Sequence, residues 1–181
     1  MRVISGKARG TNLFSPEGKG VRPTTDFVKE NLFNIIQADV AGCAFLDLFA
    51  GCGGVGIEAL SRGAAHAVFV DNARRSIDLV GRNLAKTRLG DNGHIVKGEI
   101  PAVLSHLQGQ KFNIIFLDPP YTKGLATKAI KGILATDILA DDGYIIAEIS
   151  KDENLATCDK LEIFKTKIYG ASQLIFMGWR E

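Results

Sequence analysis

Residues 45–56 read Phe45-Leu46-Asp47-Leu48-Phe49-Ala50-Gly51-Cys52-Gly53-Gly54-Val55-Gly56, and no other stretch limits the fold as much. An apolar strand runs into a glycine-rich turn, and a helix start follows. Gly51, Gly53 and Gly56 satisfy the spacing G-x-G-x-x-G. Lacking Cβ atoms, such a turn is tight enough for a ligand to lie directly on the backbone. The chain has 20 glycines, and this loop accounts for a local cluster of them. Asp71 ends the next apolar run, Ala67-Val68-Phe69-Val70-Asp71. A carboxylate at that distance can accept both hydroxyl hydrogens of an adenosine ribose.

Around this unit, apolar runs alternate with helical segments. Strands are expected at 43–49, 67–71, 94–97, 112–117 and 143–149, and helices at 54–62, 73–88, 100–107 and 124–136, with Pro101 in a first helical turn. An earlier helix starts after Arg22-Pro23-Thr24-Thr25-Asp26, with Thr or Asp as N-cap, and carries Val28, Leu32, Ile35 and Ile36 on one face to about Gln37. The rhythm predicts an α/β fold whose mostly parallel sheet is covered on both faces. It breaks at the end: Leu161 to Ile168 and Gln173 to Trp179 are joined by too few residues for a crossover, so that pair should be antiparallel. Residues 1–22, broken by Gly6 and Gly10, read as a small β-hairpin extension ahead of a domain over 23–181.

Hydrophobic residues make up 46% of the chain, enough for a core, and the net charge is +2. No apolar run reaches the length of a membrane span, and the first residues lack the apolar stretch of a secretory signal. Three cysteines, Cys43, Cys52 and Cys158, are too few and too scattered for a disulfide framework or a zinc knuckle. His66, His94 and His106 share no ligand spacing, so no metal is expected. A cytoplasmic globular protein follows. The charge is uneven, however: Arg2, Lys7, Arg9, Lys19 and Arg22 face Glu17 alone in the first 25 residues. That segment is a candidate contact for nucleic-acid phosphates or an ordinary solvated face. Arg75, Arg82 and Lys86, on one side of the 73–88 helix, read as solvated.

A second loop carries chemistry. The buried strand Phe112–Leu117 delivers Asp118-Pro119-Pro120-Tyr121 to the carboxyl edge of the sheet, where ligands bind in open α/β folds. Two successive prolines fix φ and remove two N–H donors. The Asp118 carboxylate and the Pro119 carbonyl can each accept one N–H of a planar exocyclic amine, and Tyr121 can stack on its base. Such an amine is a poor nucleophile, and polarisation by two acceptors with in-line placement supplies what it lacks. On the first loop, Asp47 can engage an ammonium group. This favours the zwitterionic methionine end of S-adenosylmethionine over the pyrophosphate of a dinucleotide, which would need the helix N-terminus.

Asp118-Pro119-Pro120-Tyr121 with Asp47-Leu48-Phe49-Ala50-Gly51-Cys52-Gly53 resembles the class I adenosylmethionine-dependent amino-methyltransferases. Ile4-Ser5-Gly6-Lys7-Ala8-Arg9-Gly10, Arg22-Pro23-Thr24-Thr25-Asp26, Leu32-Phe33-Asn34-Ile35 and Gly56-Ile57-Glu58-Ala59-Leu60-Ser61-Arg62-Gly63-Ala64 narrow the likeness to the RsmD-type bacterial 16S rRNA guanine-N2 methyltransferases. The resemblance implies a Rossmann-like sheet of seven strands with the last antiparallel. It implies use of S-adenosylmethionine on one guanine of small-subunit 16S ribosomal RNA, free or within the assembling subunit, and a monomer is expected. The cofactor would then lie against Asp47, Phe49, Ala50, Gly51, Cys52, Gly53, Gly56, Asp71, Asn72, Glu99, Ile100 and Asp118. Within that set Asp71 falls at the ribose and Glu99 at the adenine amine. Asp118, Pro119, Pro120 and Tyr121 would form the catalytic base site, and Arg2, Lys7, Arg9, Lys19 and Arg22 would contact RNA. Cys52 stands where the family has Ser, and Asn72-Ala73 where it has Lys-Asp. Phe27 and Lys29 replace common arginines and Thr11 a basic residue, which thins the basic surface.

Three other readings compete. Adenine N6 in DNA or RNA is the same chemistry on another amine. A nicotinamide-dependent oxidoreductase would explain the glycine loop but not Asp118–Tyr121. A non-catalytic RNA-binding factor on the same fold would leave the intact acidic positions unexplained.

Overall fold

The computed structural model describes residues 1–16, 26–120, 124–155 and 159–180. Seven strands, β1 (Ala44–Leu48), β2 (His66–Asp71), β3 (Gly93–Lys97), β4 (Phe112–Leu117), β5 (Leu139–Ser150), β6 (Leu161–Tyr169) and β7 (Ser172–Trp179), form one sheet in the order β3-β2-β1-β4-β5-β7-β6. The chain divides into two compact units, Met1–Gly98 and Glu99–Glu181.

The first unit contains helix α1 (Asp26–Val40), strand β1 (Ala44–Leu48), helix α2 (Gly54–Ser61), strand β2 (His66–Asp71), helix α3 (Arg74–Thr87) and strand β3 (Gly93–Lys97). β1 pairs with β2 and β2 with β3, both parallel. Helix α1 buries Val28, Lys29, Leu32, Phe33, Ile36 and Val40, so it runs one turn beyond the expected end at Gln37 to seat Val40. β1 is buried throughout and α2 at every residue, as expected of elements covered on both sides. Strand β3 departs from that expectation: His94, Ile95 and Lys97 are exposed. It is the sheet's edge, with a neighbour on one side only.

The described part of the N-terminal segment, residues 1–16, doubles back on itself. One isolated antiparallel bridge joins Arg2 and Asn12, with Val3 N–H donating to Thr11 O and Gly10 N–H to Val3 O. The segment is also held by α2. Glu58 Oε2 accepts the N–H of Ile4 at 2.8 Å and Oε1 that of Ser5 at 2.9 Å. Ser61 Oγ donates to Ser5 O and accepts the Ala8 N–H. Gly6 has φ +82°, and a Cβ there would collide with the Ser61 carbonyl. The Ile4-Ser5-Gly6-Lys7 sequence is therefore shaped to lie on this helix.

The second unit holds β4 (Phe112–Leu117), α4 (Leu125–Thr136), β5 (Leu139–Ser150), β6 (Leu161–Tyr169) and β7 (Ser172–Trp179). β4 and β5 are parallel, whereas β7 runs antiparallel to both β5 and β6. The closing antiparallel strand agrees with the short connection read from the sequence. β5 starts four residues before the expected 143 because the register shifts beside Phe112, leaving Asp141 and Asp142 exposed within a strand. A bulge of this kind accommodates a polar pair that reads as a turn. The segment expected as a helix over 100–107 is a 3-10 helix, Ala102–Leu107, and Pro101 is its N-cap rather than a first-turn residue. Among the described residues, no helix is long and apolar enough to cross a membrane, and no group of three His, Cys, Asp or Glu could hold a metal.

Candidate active site

The glycine loop leaves β1 through Phe49, a non-glycine residue at φ +61°. Gly53, at φ +79°, then caps α2. Strain of this kind persists where surrounding bonds over-determine the backbone, and they do so here. Ala50 N–H donates to Val70 O and Gly53 N–H to Ala50 O. The two acidic residues singled out from the sequence clamp the loop at its ends. Asp71 Oδ2 accepts the Gly51 N–H at 2.9 Å, and its Oδ1 accepts the Ala73 N–H. Asp47 Oδ2 accepts the Gly56 N–H at 2.8 Å. Gly56 is required on steric grounds as well, since a Cβ there would overlap the Phe69 ring and press on Asp47 Oδ2.

Asp47 is 2% exposed. Burial pushes its carboxyl up to about 8, opposed by the Gly56 N–H and aided by the charge of Asp71. Asp71 is half-buried, and Asn72 beside it is exposed. Each Asp71 oxygen keeps a second lone pair for a hydroxyl donor. Cys52 turns its side chain inward, with its sulfur 4.0 Å from that of Met1. Burial raises the Cys52 thiol.

Three amides of this loop are spoken for. The N–H groups of Gly51, Gly53 and Gly56 all point at acceptors of the protein, and two of those acceptors are carboxylates. A pyrophosphate needs the opposite arrangement, with free N–H donors and no nearby negative charge. The loop instead suits a ligand bringing hydroxyls to Asp71.

In the second unit, Asp118 is half-buried just past the end of β4, Pro119 is buried and Pro120 exposed. Tyr121 lies outside the described residues. Glu99 is exposed, its carbonyl accepting the Val103 N–H, and Ile100 is buried. Of the candidate RNA contacts, Arg2, Lys7 and Arg9 are exposed, while Lys19 and Arg22 lie outside the described residues.

One sequence reading of a basic residue is corrected. Lys29 does not lie on the surface. It is fully buried, 3.5 Å from Glu58, and donates to Arg2 O, and burial lowers its ammonium. Arg82 and Lys86 are exposed, as expected, and both also lie over the Phe14 ring. The sequence reading also missed Glu58 and Asn83. Glu58 takes two backbone N–H groups, Arg62 Nε and the Lys29 charge. Its signal was available: it is the one charged residue in the otherwise uncharged segment Gly54–Ser61. Asn83 gave none, since its role depends on a residue 69 positions away.

A family model described as Conserved hypothetical protein 95 matches residues 1–178. The chain is 39% identical over 174 residues to YlbH of Bacillus subtilis (strain 168), covering 94% of each. It is 37% identical over 157 residues to ribosomal RNA small subunit methyltransferase D of Escherichia coli (strain K12), covering 87% of this chain and 78% of that one. The solved structure of Escherichia coli yhhF superposes with a TM-score of 0.85 at 32% identity, covering 99% of this chain and 97% of that one.

Proposed function

Because the chain belongs to the Conserved hypothetical protein 95 family, we propose that it transfers a methyl group from S-adenosylmethionine to the exocyclic N2 of one guanine in small-subunit 16S ribosomal RNA. Its fold is Rossmann-like, as in known methyltransferases. The observation that carries the cofactor reading is the pair of carboxylates, Asp47 and Asp71, on the glycine-loop amides. Asp47 fixes the turn from below, and Asp71, half-buried with a second lone pair on each oxygen, suits the hydroxyls of a nucleoside ribose. The ribosomal RNA substrate is supported by the relative from Escherichia coli that bears that name.

When bound, S-adenosylmethionine supplies an electrophilic methyl on a positively charged sulfur. Asp71 offers its remaining lone pairs to the ribose hydroxyls, with Asn72 beside it. Asp47 would act toward the ammonium end through the turn it fixes at Gly56, and Glu99 with Ile100 would serve the adenine. Asp118 and the Pro119 carbonyl accept the two hydrogens of the guanine amine, which points the nitrogen lone pair away from both acceptors. Pro120 keeps that turn rigid, and Tyr121 stacks on the base. As the new carbon–nitrogen bond forms, the donor's sulfur–methyl bond breaks and its electron pair returns to sulfur, leaving a neutral thioether. The amine loses one proton, for which the Asp118 carboxylate holding it is the ready acceptor. The guanine must be out of its helix, since a paired N2 cannot present its lone pair.

The test is transfer of a radiolabelled methyl group to 16S ribosomal RNA, or to small subunits from cells lacking the protein, followed by nucleoside mass spectrometry. Label in N2-methylguanosine supports the proposal. Label in N6-methyladenosine, or none in either substrate, overturns it.

A further inference from the structure

Asn83 is completely buried on α3, and its carboxamide grips a distant backbone. Its Oδ1 accepts the Phe14 N–H at 2.8 Å, while Nδ2 donates to Phe14 O and Cys52 O, both at 2.9 Å. The same side chain thus fixes Phe14 and the first turn of the glycine loop. The Phe14 ring, 38% exposed, is held where two cations of α3 lie over it. The Arg82 guanidinium carbon is 4.2 Å from the ring centroid and Lys86 Nζ 4.3 Å.

Two positive charges four residues apart on a helix repel each other. Among the described residues, neither Arg82 nor Lys86 takes part in an ion pair. Arg62 makes the contrast: it also lies over a ring, that of Phe33, but Glu58 neutralises it. The Phe14 cluster therefore gathers on an exposed face two cations that have no ion-pair partner among the described residues, with Asp78 one turn before Arg82, and both side chains are stacked on the ring. An anion would complete it, and little side-chain entropy would be lost on binding.

We propose that Phe14, Arg82 and Lys86 form a docking site for the phosphate backbone of RNA, tied to the cofactor loop through Asn83. The site rests on the methyltransferase reading for the identity of its polyanion. It adds to the N-terminal cations a second contact on another element. Arg82 and Lys86 meet phosphates, and the exposed edge of Phe14 lies open to an unpaired base. Phosphate contacts of this kind position RNA without specifying a base.

The test is fluorescence anisotropy of a labelled 16S ribosomal RNA transcript titrated with the full chain at several salt concentrations. The Arg82→Gln/Lys86→Gln variant should bind about tenfold more weakly at low salt. Its dependence of log affinity on log salt should be shallower by about two, one unit for each lost contact. Phe14→Leu, which keeps both charges and the backbone grip, should weaken binding a few-fold with the slope nearly unchanged. Lys128→Gln/Lys131→Gln, an equal charge change on exposed positions of α4, should bind like the parent. The inference is overturned by parental affinity and slope in the Arg82/Lys86 variant, or by an equal loss in the α4 variant. It is also overturned by a parent chain that shows no salt-dependent binding. A parent that binds the transcript but transfers no methyl to RNA or subunits overturns the methylation reading alone.

Discussion

Asp47 holds a loop and carries a poorly solvated carboxyl, and the two facts have one cause. Its side chain is sealed under the first turn of α2, where the Gly56 N–H is its hydrogen-bond donor. Burial raises its affinity for a proton to about 8, so between the ordinary carboxylate range and that value the native state binds a proton more tightly than the unfolded chain. Stability is then highest at the acid end of this window, falls as pH rises through it, and levels off above pH 8. Asp47→Asn keeps an acceptor for Gly56 and removes the titration. Urea midpoints at pH 5 and pH 8 should lie closer together in the variant than in the parent, and an unchanged difference would contradict the assignment. Glu58 gives the opposite lesson. Glu58→Ala strands the fully buried Lys29 charge and two backbone N–H groups. The expected loss is about 3–5 kcal/mol, read from the denaturation midpoint. Asp47 and Asp71 were legible because the glycine spacing frames them. The burial of Lys29 was not, because a lysine amid helix-spaced apolar residues reads the same whether its partner is water or a carboxylate from another helix.

At the scale of elements, most strands and helices follow from apolar periodicity, and the exceptions share a physical origin. β3 looked like a buried strand because Ile95 and Val96 are adjacent and β-branched, but an edge position leaves Ile95 exposed. The start of β5 was hidden by Asp141-Asp142-Gly143, which a register shift absorbs. In the N-terminal segment, glycines 6 and 10 were correctly read as breaks. What they serve is docking on α2, which no local pattern announces. This changes the expectation for truncation. Removing residues 1–13 takes donors away from Glu58 and a hydrogen-bond acceptor from Lys29, so the truncated chain should unfold at a distinctly lower temperature. An unaltered melting midpoint would show that the segment is an appendage after all. Neutralising Arg2, Lys7 and Arg9 with glutamine leaves these backbone bonds in place. It should weaken RNA binding and flatten its salt dependence while the melting midpoint stays put.

For the molecule as a whole, the net charge of +2 hides the arrangement that matters: carboxylates at the glycine loop, and cations on the N-terminal segment and α3. The alternation of strands and helices and the antiparallel closure were readable from apolar patterning and segment lengths, and the likeness to amino-methyltransferases rested on two short loops. Under the proposed function those two loops divide the labour. The glycine loop, with Asp47 and Asp71, holds the methyl donor, and Asp118 with Pro119 readies the acceptor amine. The measurement that bears on this most directly compares methyl transfer and S-adenosylmethionine affinity in Asp118→Ala. Loss of a preorganised electrostatic contact to the reacting group typically costs about 10²–10³ in rate. Turnover should therefore fall by at least about that factor, while a calorimetric titration returns the parental dissociation constant for S-adenosylmethionine. Parental turnover, or a loss explained wholly by weaker cofactor binding, would contradict the division.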